Sequence, residues 1–60
     1  MNEVIVTFTD GNSETFKGPE VNFGPIDGFI AVRIDEYETI MFNVDEIFSV
    51  KMTRGQVETA

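Results

Sequence analysis

The chain has 60 residues, with no cysteine and no histidine, and a formal net charge of −7 from 11 acids against 4 Lys and Arg. That composition excludes disulfides and argues against a structural zinc site. An acidic surface repels phosphate, which argues against direct binding of nucleic acid or of an anionic membrane. A domain this short buries only about 60% of the surface its unfolded chain exposes. The apolar gain on folding then nearly cancels the cost of ordering the chain, so a partner or self-association is expected.

Residues 3–9, EVIVTFT, alternate as a strand does, with Val4, Val6 and Phe8 on one face and Ile5, Thr7 and Thr9 on the other. Asp10, Gly11 and Asn12 form a turn signal. A two-residue loop would set Phe16 opposite Ile5, on the polar face. A three-residue loop, Asp10 to Asn12, sets it opposite Val6, inside. The second loop is expected, with Gly11 or Asn12 in the left-handed position. The next strand runs from Ser13 to Lys17. Gly18–Pro19 breaks the pairing, and Gly24, Pro25, Ile26, Asp27 and Gly28 form a second cluster of breakers. Residues 18–28 therefore read as a bent connection with a short strand at most, around Val21 and Phe23.

Residues 29–34, FIAVRI, form the third long strand, with Ile30, Val32 and Ile34 on one face and Phe29, Ala31 and Arg33 on the other. Asp35, Glu36 and Tyr37 make the turn. Pairing Ile34 with Glu38 sets Val32 opposite Ile40 and Ile30 opposite Phe42, which keeps the apolar residues together. A one-turn kink is expected at residues 43–46. Phe48, Val50 and Met52 then form the inner row of a last strand, with Ser49 and Lys51 outside and Ile47 plugging one end of the core. Residues 1–53 are one small β domain, and 54–60 read as a frayed polar tail.

Five short strands in so few residues must curl over one core. The expected fold is all-β: a small, five-stranded, strongly bent antiparallel barrel of the SH3-like or Sm-like sort, with a single 3₁₀ turn near residues 43–46. VTFTDGNSETFKG, GFIAVRI and IMFNVDEIFSV together resemble a class of small all-β proteins of bacteria and their phages. Those run strand, Asp-Gly hairpin, strand, and end Phe-Asn-x-Asp-x-Ile-x-Ser-Val. The resemblance spans residues 3–52, implies a compact non-secreted β protein, and brings no activity and no site residues. The chain also resembles Sm-type RNA-binding barrels, but its negative charge speaks against RNA binding here. No basic start precedes an apolar segment, so the cytoplasm is the expected compartment.

Two residue sets are candidates for function. Ile5, Phe29, Ala31 and Met41, with Tyr37 in the adjoining turn, have the wrong parity for the core rows. They are either partly covered because a strongly bent barrel hides some of both faces, or singly exposed, or an apolar strip for another copy or a protein partner. Asp35, Glu36, Glu38, Asp45 and Glu46 lie in a run with no Lys or Arg between Ile34 and Ile47. They are either solvated turn residues or a patch for a basic partner, and their spacing is not that of a calcium loop. No catalytic residues, metal ligands or cofactor are expected: Ser13 and Ser49 have no base, Lys17 and Lys51 sit in no motif, and the glycines form no phosphate loop. The expected function is a non-catalytic, self-associating protein-interaction module. The alternatives are an acidic mimic of nucleic acid that inhibits a basic DNA- or RNA-handling protein, as phage inhibitors do, and a structural subunit of a larger particle.

Overall fold

A computed structural model describes residues 1–55. It is all-β, with six strands: β1 Asn2–Phe8, β2 Ser13–Gly18, β3 Asn22–Ile26, β4 Phe29–Arg33, β5 Thr39–Asn43 and β6 Ile47–Thr53. A 3₁₀ turn, Val44–Glu46, separates β5 from β6. The strands form two antiparallel three-stranded sheets, ordered β2-β1-β6 and β3-β4-β5. The expected polar tail starts at residue 54, and its last part, 56–60, lies outside the described residues.

The first hairpin shows how turn chemistry and parity act together. Gly11 N–H donates to the Phe8 carbonyl (3.0 Å), and Phe8 N–H donates to the Asn12 carbonyl (2.8 Å). The loop is therefore Thr9, Asp10 and Gly11, one residue earlier than the sequence suggested. Gly11 takes the left-handed position, at φ 94°, which an L side chain would resist. The Asp10 carboxylate accepts from Asn12 N–H (2.9 Å) and holds the turn. Phe16 pairs with Val4, not Val6. That displacement is two residues, so Phe16 still faces the core.

Two further expectations need correction. The breaker cluster contains a full strand segment, β3, where a bent connection with a short strand at most is expected, which makes six strand segments among the described residues. Asp27 and Gly28 close a two-residue hairpin between the paired Ile26 and Phe29. Both have positive φ, at 25° and 86°, as the mirror-image turns that suit strand twist require. Pro25 is tolerated because β3 is an edge strand. The second correction concerns Phe48, which is 76% exposed and not in the inner row. Thr7 pairs with Ser49, but Phe8 pairs with Ile47. Phe48 is the unopposed residue of a β-bulge, so alternation breaks there and Ile47 takes the inward place.

The β4–β5 register is as the sequence implied: Val32 faces Ile40, and Ile30 faces Phe42. The fully buried side chains are Val4, Val6, Val21 and Val32. Around them pack Phe8, Phe16, Phe23, Ile34, Phe42, Ile47, Val50 and Met52. The ring of Phe42, from the second sheet, lies 5.4 Å from Phe8 and 6.2 Å from Phe16, both from the first. Tilted pairs at such distances contribute roughly 0.5–1.5 kcal/mol each beyond their buried area. Val21 is buried in the short link between β2 and β3, and its carbonyl accepts from Asn2 Nδ2 (3.1 Å), which ties that link to β1.

The bulge makes two phenylalanines only six positions apart behave oppositely. Phe42→Ala should cost about 3 kcal/mol, whereas Phe48→Ala should change stability by less than about 0.5 kcal/mol, both read from urea unfolding. Gly28→Ala should cost about 1 kcal/mol because of its positive φ. Gly24→Ala should be tolerated, since a Cβ there meets nothing within 4 Å.

Candidate functional site

The outer face of the second sheet follows from strand alternation. Across it, Gly24, Ala31 and Met41 are in register, flanked by Asn22, Arg33 and Thr39 on one side and Ile26, Phe29 and Asn43 on the other. Ile26 is 50% exposed, Phe29 42% and Met41 50%. Ala31 is buried although it points away from the core. It lies in an open groove of about 300 Å³ that is also lined by Phe23, Pro25, Ile26 and Arg33. Arg33 is the only charged residue at these register positions. An acidic protein thus keeps its acids off one apolar sheet face.

Of the expected apolar set, Phe29, Ala31 and Met41 share this face. Ile5 does not join them. It lies on β1, out of phase with the inward Val4 and Val6, on the outer side of the other sheet. Tyr37 is exposed in the β4–β5 turn, beyond the Arg33–Thr39 pair and away from Phe29. The sequence reading missed Ile26, because the strand that carries it was hidden among breakers. Its signal was available: Asp27–Gly28 between Ile26 and Phe29 is a hairpin signature. It also missed the exposed Phe48: the adjacent apolar pair Ile47–Phe48 signals that one of the two leaves the inner row, but not which one.

The five acids form two groups and not one. Asp35, Glu36 and Glu38 sit in the turn before β5; Asp45 and Glu46 sit in the 3₁₀ turn after it. Five strand residues separate the groups by roughly 17 Å. Asp35 shapes the turn it stands in, because its Oδ1 accepts from the N–H groups of Tyr37 (2.7 Å) and Glu38 (2.9 Å). Asn43 plays the same part in the second turn, accepting from Asp45 N–H (3.0 Å). Glu36, Glu38, Asp45 and Glu46 are exposed. Lys17 pairs with Glu3 across β1 and β2 at 3.6 Å; an exposed pair of this kind contributes little.

Among the described residues, no three Asp or Glu converge to hold a metal ion, and no helix is long and apolar enough to cross a membrane. No protein-family model, curated protein or solved structure matches the chain.

The two turn acids separate by role. Asp35→Ala removes the acceptor for two backbone donors and should cost about 1 kcal/mol, while Glu36→Ala should leave the urea midpoint unchanged within about 0.3 kcal/mol.

Proposed function

We propose that this protein is a non-catalytic protein-interaction module that self-associates through the outer face of its second sheet. The observation that carries the reading is the cluster of half-exposed Ile26, Phe29 and Met41 around Ala31, on the face that an otherwise acidic chain leaves free of acids. Two copies can meet there without setting carboxylate against carboxylate. Aromatic residues and Met suit such contacts. The small core supports the same reading: four valines are its only fully buried large side chains among the described residues, so covering further apolar area stabilises the fold.

Size limits the affinity. Three strands of five residues present a face of roughly 250 Å² in projection, from their spacing and rise. A stable interface takes about 800 Å² from each partner. Association through this face alone is therefore weak and concentration-dependent.

We read the two sheets, further, as halves of one strongly bent barrel of SH3-like or Sm-like type, with β2 and β3 as a single strand bent at Pro19–Val21. Support comes from the three-residue length of that link, the burial of Val21, and the 3₁₀ turn before the last strand. A second functional reading, mimicry of nucleic acid toward a basic protein, is favoured by the exposed acids at both ends of β5. A captured nucleic-acid-handling protein released by salt would support it. The particle-subunit reading rests on the same apolar face.

Sedimentation should show reversible self-association in the tens to hundreds of micromolar. Phe29→Asp, which sets a charge in the face, should shift the midpoint upward by at least about tenfold. A wild-type monomer throughout that range sinks self-association through this face, and assembly into filaments or rings selects the particle subunit.

A further inference from the structure

The sheet edges differ in how they are protected. A free edge offers unpaired N–H and C=O groups to any passing strand, and proteins blunt such edges with charge, proline or bulges. Among the described residues, β2, β6, β3 and β5 are the four edges. β2 carries Glu14 and Lys17; β6 carries Lys51 and the bulge at Phe48; β3 carries Gly24 and Pro25. β5, Thr39-Ile40-Met41-Phe42-Asn43, has no charge, no proline and no bulge.

The phase of the β4–β5 ladder shows which groups point outward. Ile34 N–H donates to Glu38 O at one end (2.9 Å), and Val44 N–H to Gly28 O at the other (3.1 Å). Hydrogen-bonded pairs recur every second residue in an antiparallel ladder. Ile40 and Phe42 therefore face β4 with their main-chain groups. Thr39, Met41 and Asn43 point theirs away from it, and among the described residues no turn or loop backbone group bonds to them.

We infer that β5 is a strand-addition site, and that its occupant is an extended segment of another protein, apolar at alternate positions and flanked at both ends by Lys or Arg. This rests on the interaction-module reading above and supplies what the apolar face lacks, because main-chain bonds at the edge add to its small area. Charge selects the occupant. Asp35, Glu36 and Glu38 stand at one end of the edge and Asp45 and Glu46 at the other, with no Lys or Arg between Ile34 and Ile47. A second copy offering its own β5 would bring acid turns against acid turns in either direction. Nor does this chain hold a segment of the required kind: its cations are Lys17, Arg33, Lys51 and Arg54, and none brackets an apolar stretch of five residues with another.

The probe is a synthetic peptide, Lys-Arg-Val-Thr-Val-Thr-Val-Lys-Arg, added to the full-length protein and followed by amide NMR and hydrogen exchange. Amides of Thr39, Met41 and Asn43 should gain protection of at least about tenfold, and binding should weaken as salt rises. Met41→Pro removes the central outward donor without touching the β4 ladder and should weaken binding by at least about tenfold. Should that variant unfold, the wild-type protein with the peptide N-methylated at alternate residues makes the same test, and loss of binding is the expected result. A peptide with Glu in place of every Lys and Arg should not bind.

Protection on β2 or β6 instead, equal binding of the acidic peptide, indifference to N-methylation, or no protection at millimolar peptide would overturn the site. Protection of the same amides in the free protein that rises with its own concentration would make a second copy the occupant and overturn the basic strand. Self-association that persists in sedimentation while the peptide fails removes only the edge; absence of both removes the module reading as well.

Discussion

The contact on which the molecule depends is the meeting of the two sheets at Phe42. Its ring reaches from β5 to Phe8 and Phe16 of the other sheet, over a floor of four buried valines. Among the described residues no backbone ladder joins β2-β1-β6 to β3-β4-β5. Side-chain packing and the short links between strands therefore hold the sheets together. A core this thin leaves little margin, and it explains why so many apolar side chains in a small protein are covered only in part.

The same strand serves both the interior and the surface. Ile40 and Phe42 point inward; Met41 points outward, between Ala31 and the free edge. The turns that bracket β5 are acidic, yet the carboxylate of Asp35 and the amide of Asn43 are engaged in shaping those turns. Their neighbours are left to solvent. Negative charge is thus gathered at the two ends of the strand while its middle stays neutral and apolar. That division lets one short element anchor the core and present a greasy patch between two acidic ends.

Parity was the most legible feature of the sequence. Phe16, Val32, Ile40 and Phe42 all face inward as alternation requires, even though the first loop lies one residue earlier than the turn signal implies. A loop shift that moves a register by two residues leaves every side chain on its own face. What defeated alternation was a single extra residue. At Phe48 the bulge turns an aromatic outward and brings Ile47 inward, and nothing local in Ile-Phe-Ser-Val says which of the two apolar neighbours yields. The choice is made across the ladder, by Thr7 pairing with Ser49 and Phe8 with Ile47. The β3–β4 hairpin is a different case. Its Asp-Gly turn was readable, but proline and glycine on either side masked the strand, because an edge tolerates them and an interior strand does not.

By itself, the sequence determined the all-β class, the inward rows of β1, β4 and β5, the turn at residues 43–46 and the acidic, cysteine-free surface, since each follows from local periodicity, turn chemistry or composition. Tertiary structure alone decided which outward residues become neighbours. It turned Phe48 outward, kept Ile5 on the outer side of the first sheet, split five acids into two groups and, among the described residues, left β5 as an unpaired edge. Those outcomes depend on which strands pair and in what register, and pairing is a property of residues distant in the chain, which no single segment encodes.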